Sequence, residues 1–365
     1  MNPAGPRVWS PAPYHEADVP GMLGLIRSYY GDIDTTSEEF FRWQYEANPS
    51  GKVILWIARH DDTGAVMGQH VLLPMRASVD GRDVKSVLSF NALVAPQYHK
   101  QGIWSGLGDA CNDAARDAGV AFSYGIPNPN SRIPMTRRLG YHDLGNIDLM
   151  AFILRAGPVA GARFRGIARG AAGMVLGAAR PFLFRRRAAT GGFDVRERDG
   201  FDGEFDRLYA AFRRRYRVMI RRDAAHLNWR YTGVPGRRYR IFAAYQAGEL
   251  TGYAVFRATT FRDVPSGILL DLAGAGEAAG EAQLAAVNAG IDALVQSGTA
   301  ACFAYMVPGT EGHRVLVRAG FRVPPGPLLP QPFPLLVKPW AQGPDVDPAL
   351  LLSNWYFTVG DYDVF

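Results

Sequence analysis

The chain has 365 residues, 48% of them hydrophobic, and a formal net charge of +6. This length exceeds the usual single-domain size and this composition can bury large cores, which predicts two domains and excludes a disordered or fibrous protein. Residues 1–21 lack the apolar core of a signal peptide, and polar residues interrupt the uncharged run over 293–310. We therefore expect a soluble, cytoplasmic protein.

The first part of the chain alternates helical and strand patterns. Residues 21–30 and the stretch that begins at Ser37 have helical spacing, and alternating segments on either side of the turn 61–64 predict a hairpin. An apolar strand over 87–94 is followed by a polar turn and by a helix that ends near Gly119. The later elements are a strand over 121–126, a loop over 127–131, a helix over 133–139 and a last strand region over 140–154.

The turn between the 87–94 strand and the next helix is the central feature of the sequence. A strand that enters a helix through a glycine turn leaves the first N–H groups of the helix unpaired and directed outward. Such N–H groups, at the positive end of the helix dipole, favour an anion and above all a diphosphate. The pattern therefore predicts a phosphate-binding turn, with an ordinary strand-to-helix connection as the alternative.

The same segment carries a family resemblance. Pro96-x-Tyr98-x-x-Gln101-Gly102-Ile103 resembles the acetyl-CoA signature of the GNAT acyltransferases, which follows a strand ending in V-x-P. The resemblance implies acetyl-CoA or another short acyl-CoA as co-substrate, and a strand that pairs with the pantetheine arm through Leu93 and Val94. The turn amides that it assigns to the diphosphate are those of His99, Lys100, Gln101, Gly102, Ile103, Trp104 and Ser105.

Two positions depart from the signature. His99 stands where the family has a leading Arg or Gln, and Trp104 replaces a small residue, which puts in doubt how closely a diphosphate approaches there. After the next strand, relatives place an Asn that binds the pantetheine. Asn128 and Asn130 match that neighbourhood, although both residues are also ordinary turn formers.

An internal repeat gives independent support. The segment around Trp43 is echoed around Trp229, and Arg138-Leu139-Gly140-Tyr141 recurs as Arg318-Ala319-Gly320-Phe321. We expect an α/β (α+β) fold of two tandem GNAT-like domains, each a mixed twisted sheet flanked by helices. The predicted ranges are an acyl-CoA domain over 1–156, a basic helical connector over 157–192, and a degenerate domain over 193–365 that shapes the acceptor pocket.

The second copy differs where chemistry is expected. The strand over 268–272 corresponds to the 87–94 strand, and Asp271 aligns with Asn91. The segment that follows it carries Glu277 and Glu281 where a CoA turn would need N–H groups and positive charge. Acidic side chains at that place would repel CoA. The sequence therefore predicts one acyl-CoA site per chain.

The resemblance implies direct attack of an amine on the thioester in a ternary complex, helped by a backbone N–H of residues 93–95. Asn91 occupies a place where many relatives carry a Glu base, and Tyr124, Ser131 or a water could protonate the leaving thiolate. The other candidate bases, His70, His142 and Asp271, are more simply structural residues, and loss of the amine proton to water is an equal alternative. The two cysteines, Cys111 and Cys302, are far apart and no C-x-x-C occurs, so no metal site is indicated.

The connector is strongly basic. Residues 157–193 contain seven arginines and no acid, mixed with large apolar residues. This pattern fits either a helical connector packed on the domains or a peripheral contact with an anionic membrane through 161–187. The sequence contains no nucleic-acid-binding module.

The resulting interpretation is an acyl-CoA-dependent N-acyltransferase that acts on the amine of a small acceptor such as an amino sugar. The alternatives are a non-catalytic acyl-CoA-binding or regulatory protein, and an aminoacyltransferase of Fem type. The last group lacks a CoA turn and fits less well.

Overall fold

The computed structural model describes residues 8–163, 166–326 and 331–362. The chain divides into two compact units that each draw on separate parts of the sequence. Unit 1 comprises Met1–Gly145, Gly233–Gly236 and Pro334–Leu350, and unit 2 comprises Asn146–Thr232, Arg237–Phe333 and Leu351–Phe365.

Unit 1 is built on a mixed sheet with the strand order β1-β2-β3-β4-β5-β14-β6. Helix α2 begins where the sequence predicts it, because the side chain of Ser37 accepts the N–H of Phe40 and caps the first turn. The elements are β1 (Trp9–Pro13), α1 (Val19–Tyr30), α2 (Glu38–Tyr45), β2 (Ile54–His60), β3 (Val66–Val79), β4 (Arg82–Val94), α3 (Ile103–Asp117), β5 (Phe122–Gly125), α4 (Pro129–Leu139), β6 (His142–Asn146) and β14 (Pro334–Pro339).

Unit 2 is built on a sheet with the order β7-β13-β12-β11-β10-β8, and β15 pairs in parallel with β9. The elements are β7 (Asp148–Ile153), α5 (Ala156–Arg163), α6 (Gly166–Leu183), β8 (Asp194–Arg198), α7 (Gly203–Phe212), β9 (Val218–Ile220), α8 (Ala224–Leu227), β10 (Arg240–Gln246), β11 (Glu249–Phe261), β12 (Val264–Gly274), α9 (Ala279–Gln296), β13 (Ala301–Met306), α10 (Glu311–Arg318) and β15 (Trp355–Tyr356). Among the described residues, no helix has the length and apolar character needed to cross a membrane.

The two sheets repeat one pattern, and the predicted fold class is confirmed. In unit 1, β3 and β4 are antiparallel while β4 and β5 are parallel. In unit 2, β11 and β12 are antiparallel while β12 and β13 are parallel. The predicted domain ranges stay a prediction.

The predicted strand region over 140–154 forms two strands, β6 and β7. Strand β7 pairs antiparallel with β13 in the sheet of unit 2, which the sequence did not predict. The corresponding place beside β5 in unit 1 is taken by β14, which pairs antiparallel with β5 from Leu336–Gly125 onward. Both strands are apolar, and the sequence pattern alone does not specify which sheet edge an apolar strand joins.

Helix α3 packs on the sheet of unit 1 through the stripe predicted from the sequence. Cys111 and Ala115 are fully buried against Leu72 and Val87. Burial raises the pKa of the Cys111 thiol, so the thiol stays protonated and packs as a small apolar group. This packing fixes the N-terminus of α3 at the end of β4, where the candidate site lies.

Candidate active site

Strand β4 opens an unpaired edge beside β5. The parallel ladder between the two strands covers Ser86, Val87 and Leu88, and within the described residues no pairing with β5 follows, although β4 continues to Val94. Strand β4 also carries a β-bulge, because Phe90 lies opposite Val71 and Leu93 lies opposite Gln69. The edge of β4 beyond Leu88 can therefore pair with an extended ligand.

The direction of the backbone amides decides which predicted residue fits this role. The N–H of Ala95 donates to the carbonyl of Met67 on β3 at 2.8 Å. Since N–H groups alternate along a strand, the N–H of Val94 points away from β3 and that of Leu93 points toward it. Of the two residues predicted to pair with pantetheine, Val94 has its amide on the open edge.

Two side chains fix the carbonyl of Val94. The hydroxyl of Tyr29 on α1 donates to this oxygen at 2.5 Å, and Nε2 of His99 lies 2.9 Å from it. A carbonyl can only accept, so Nε2 carries the proton in this contact. Tyr29 and His99 thus tie helix α1 and the turn to the last residue of β4. His99 acts through its side chain, which the family signature does not suggest.

The turn after β4 enters helix α3 through a glycine. Gly102 is the N-cap of α3 with φ +75°, a conformation that favours glycine, and a Cβ there would meet no atom within 4 Å. The N–H of Gly106 is bound by the carbonyl of Gly102 at 3.0 Å. The N–H groups of 103–105 precede that bond and, by helix geometry, have no intrahelical acceptor.

The side chain of Trp104 does not fill the turn. It is half-buried and packs against the apolar clusters that contain Leu107 and Leu139. Its ring also stacks on that of His70, with 6.4 Å between the ring centroids and 28° between the planes. Trp104, which departs from the family signature, therefore packs against the core. Lys100, Gln101 and Gly102 are exposed and border the open turn.

The carbonyl of Gln101 is anchored from β1. Nε1 of Trp9, a buried residue, donates to this oxygen at 3.3 Å. Ser105 also closes on the turn, because its hydroxyl donates to the carbonyl of Gly102 at 3.0 Å. Trp9 and Ser105 thus hold two carbonyls of the turn in place.

Asn91 lies at the bulge with φ +46°. Its amide Nδ2 donates to the hydroxyl of Tyr45 on α2 at 3.2 Å. Its Oδ1 can accept a hydrogen bond from a ligand. Tyr124 is fully buried, and Ser131 is half-buried. These three predicted catalytic residues therefore differ widely in their access to solvent.

Asn128 has a structural role at the start of α4. Its Oδ1 accepts the N–H groups of Asn130 and Ser131, both at 3.0 Å, and the hydroxyl of Ser131 at 2.9 Å. This is an N-cap, and it accounts for Asn128 without a ligand. Because α4 follows β5 as α3 follows the parallel β4, the two helix N-termini, with Asn128 and Asn130 at one of them, share one edge of the sheet.

A buried polar chain lies under the site. Nε2 of His70 is 3.1 Å from the hydroxyl of Ser89, and the hydroxyls of Ser123 and Tyr141 are 2.8 Å apart. Burial lowers the pKa of His70 to about 4 and raises the pKa of Tyr141 to about 12. Both groups are neutral near pH 7, and the lowered pKa makes His70 a weak base.

The other two candidate bases are placed differently. His142 is exposed on β6. Asp271 belongs to unit 2, where it is buried and paired with Arg222 at 2.9 Å. Its carboxylate is thus engaged in an ion pair inside unit 2.

Sequence reasoning missed three residues of the site: Trp9, Tyr29 and Tyr45. They lie on β1, α1 and α2 and reach the site through the fold, and their sequence neighbourhoods carry no motif. The available signal was only their aromatic character, which core residues share, and strand β1, which carries Trp9, was not predicted at all.

Residues 11–143 match the family model described as Acetyltransferase (GNAT) domain. No curated protein matches the chain. A probable N-acyltransferase from Enterococcus faecalis superimposes with a TM-score of 0.61 and 11% identity over 91% of this chain and 72% of that chain. A GCN5-related N-acetyltransferase from Anabaena variabilis gives 0.61 and 11% over 90% and 72%. The N-myristoyltransferase of Saccharomyces cerevisiae, with bound myristoyl-CoA, gives 0.62 and 14% over 94% and 86%.

At these identities the structural likeness establishes the fold, and it extends over nearly the whole chain. The family model covers the part that contains the unpaired β4 edge and the open turn at Gly102. Residues 11–143 therefore match an acetyltransferase domain of the GNAT family, and the chain shares its fold with these solved acyltransferases.

Proposed function

We propose that the protein transfers an acetyl or other short acyl group from acyl-CoA to the primary amine of a small acceptor, with an amino sugar as the preferred class. The observation that carries this proposal is the open turn at Gly102, whose amides adjoin the unpaired edge of β4.

In this proposal the amine nitrogen attacks the thioester carbon, and the N–H of Val94 stabilises the negative charge that develops on the carbonyl oxygen. The carbon–sulfur bond then breaks, and the electron pair leaves with the CoA thiolate. Asn91 orients the amine through its Oδ1. The amine proton passes to water, and the half-buried Ser131 or a water, rather than the fully buried Tyr124, returns a proton to the thiolate.

The test compares two isosteric variants, Gly102→Gln and Gly102→Glu. Both place a Cβ at φ +75° and lose about 1 kcal/mol of stability to backbone strain. Only the carboxylate repels a diphosphate: at about 6 Å in water, a doubly charged group costs about 1.4 kcal/mol, or about tenfold in Kd. Calorimetric titration with acetyl-CoA measures this difference, which shrinks at high salt.

The matched control is Gly81, which has φ +78° and open space around its Cβ in the β3–β4 turn. Gly81→Glu should leave acetyl-CoA binding unchanged. Equal affinity of Gly102→Gln and Gly102→Glu would refute the assignment of the turn. Thiol release with a panel of amines then separates catalysis from binding: binding of acetyl-CoA without thiol release for any amine would support a non-catalytic acyl-CoA-binding protein instead.

A further inference from the structure

Helix α6 exposes an apolar face. Its inner side packs on α5, since Gly173 and Gly177 approach Ala160 and Ala156 closely, and Nε of Arg180 donates to the carbonyl of Ile153 on β7 at 3.0 Å. The outer side carries large apolar side chains that are almost fully exposed. They are Met174 at 73%, Val175 at 70% and Phe182 at 83%.

These exposed residues lie on one face of the helix. Positions 174, 178 and 182 follow each other at intervals of four residues, and residue 178 is an exposed alanine. Met174 and Phe182 are about 12 Å apart along the axis at about 1.5 Å per residue. Contiguous exposure of large apolar groups on one face marks an interaction surface more often than isolated exposed residues do. We call these residues the apolar face of α6.

An arginine pocket adjoins the apolar face. A cavity of about 670 Å³ is shared by the end of α6, the chain that follows it and the end of α10. Phe182 belongs both to the cavity wall and to the apolar face, which joins the two features into one surface. The charged residues that line the pocket are Arg185, Arg186, Arg187, Arg318 and Arg322.

The acids near the pocket neutralise only part of this charge. Asp292 on α9 pairs with Arg186 at 2.6 Å, and Glu281 on α9 pairs with Arg318 at 2.5 Å. Within the described ranges, no carboxylate pairs with Arg185, Arg187 or Arg322. The pocket therefore keeps an excess of positive charge.

We propose that the apolar face of α6 and the arginine pocket together dock the protein on the surface of an anionic lipid bilayer. The apolar side chains enter the boundary between headgroups and acyl chains, and the arginines bind lipid phosphates. Charge complementarity selects this occupant, because apolar groups beside unneutralised arginines match an anionic membrane and not an apolar protein surface. The sequence predicts a membrane contact through 161–187, of which residues 164 and 165 lie outside the described residues. The proposal rests on exposed residues within 173–188 and on Arg318 and Arg322.

The experiment is cosedimentation of the full chain with phosphatidylcholine vesicles that contain phosphatidylglycerol, and with vesicles of phosphatidylcholine alone. We expect binding to the anionic vesicles only, weakened by salt. Arg185→Gln with Arg187→Gln should lower the partition coefficient about thirtyfold. Met174→Ser with Val175→Ser and Phe182→Ser should lower it by more than about tenfold.

The matched control combines Val295→Ser and Arg238→Gln, which change an exposed valine and an exposed arginine elsewhere in unit 2. This control should bind the vesicles as the unmodified protein does. All substituted side chains are exposed, so circular dichroism and Tm should be unchanged. The proposal is overturned if the protein does not sediment with anionic vesicles, or if both variants bind like the control. It is equally overturned if ultracentrifugation finds a dimer that the Met174, Val175 and Phe182 substitutions dissociate.

Discussion

His70 makes the stability of unit 1 depend on pH in a direction that the structure fixes. Its imidazole is fully buried beneath the site, and burial lowers its pKa from 6.5 to about 4. The unfolded chain therefore binds a proton at this position before the folded chain does. The stability that the neutral imidazole allows is complete above pH 6.5 and is lost as the pH falls toward 4.

The magnitude follows from this difference in pKa. Over the whole window the lost stability is about 3 kcal/mol, and between about pH 7 and about pH 5 it is about 2 kcal/mol. We expect His70→Asn to be less stable at neutral pH, because the contacts with Ser89 and Trp104 are lost. Its free energy of unfolding should nevertheless fall about 2 kcal/mol less than that of the unmodified protein over this pH range.

Urea denaturation at the two pH values measures both quantities. His142→Asn is the control, because it removes an exposed imidazole from the same unit. If His70→Asn and the unmodified protein lose the same stability between the two pH values, the buried imidazole does not resist protonation and the reasoning fails. An NMR titration in which His70 protonates near pH 6.5 would lead to the same conclusion.

Two further predictions concern side chains that organise each unit. Tyr29→Phe removes the hydroxyl that donates to the carbonyl of Val94 at 2.5 Å, and should lower the free energy of unfolding by about 1 kcal/mol. In steady-state kinetics it should raise KM for acyl-CoA more than it changes kcat. An unchanged KM would contradict this role of Tyr29. Arg222→Met leaves Asp271 and Asp361 buried without their cation. Urea denaturation should show a free energy of unfolding that is lower by about 3–5 kcal/mol. A loss below about 1 kcal/mol would contradict the stabilising role of Arg222.

Local patterns allowed the sequence to predict the turn and helix α3. The apolar stripe of α3 and the glycine turn before it depend on neighbouring residues, which the sequence displays directly. The repeat likewise predicted two similar sheets. The bulge at Asn91 was not predicted, because it depends on the register between β4 and β3 rather than on β4 alone.

Contacts between distant segments were beyond sequence reasoning. The exchange of β7 and β14 between the sheets depends on which edges are free, and an apolar strand pattern carries no such information. Tyr29 and Tyr45 enter the site from helices whose pattern predicts only core residues, and Trp9 enters it from β1, a strand that was not predicted. The position of Trp104 also depends on distant residues. The sequence could not show that its ring packs against the core and leaves the turn open.

Unit 2 repeats the strand arrangement of unit 1 but fills the corresponding edge with its own chain. Among the residues that the structure describes, the pairing of β12 with β13 runs from Ser266 to Leu269, and β12 carries a bulge at Leu270. A Cβ at Gly360 would lie 2.8 Å from the carbonyl oxygen of Leu270, so the turn over 359–361 already presses its backbone against β12. Asp361 from that turn joins Arg222 and Asp271 in a buried ion cluster. Pantetheine would have to displace this segment and leave Arg222 buried without one of its carboxylates, which is costly. We infer that the duplicated sheet survives in unit 2 as a scaffold and that acyl-CoA binds to unit 1 alone.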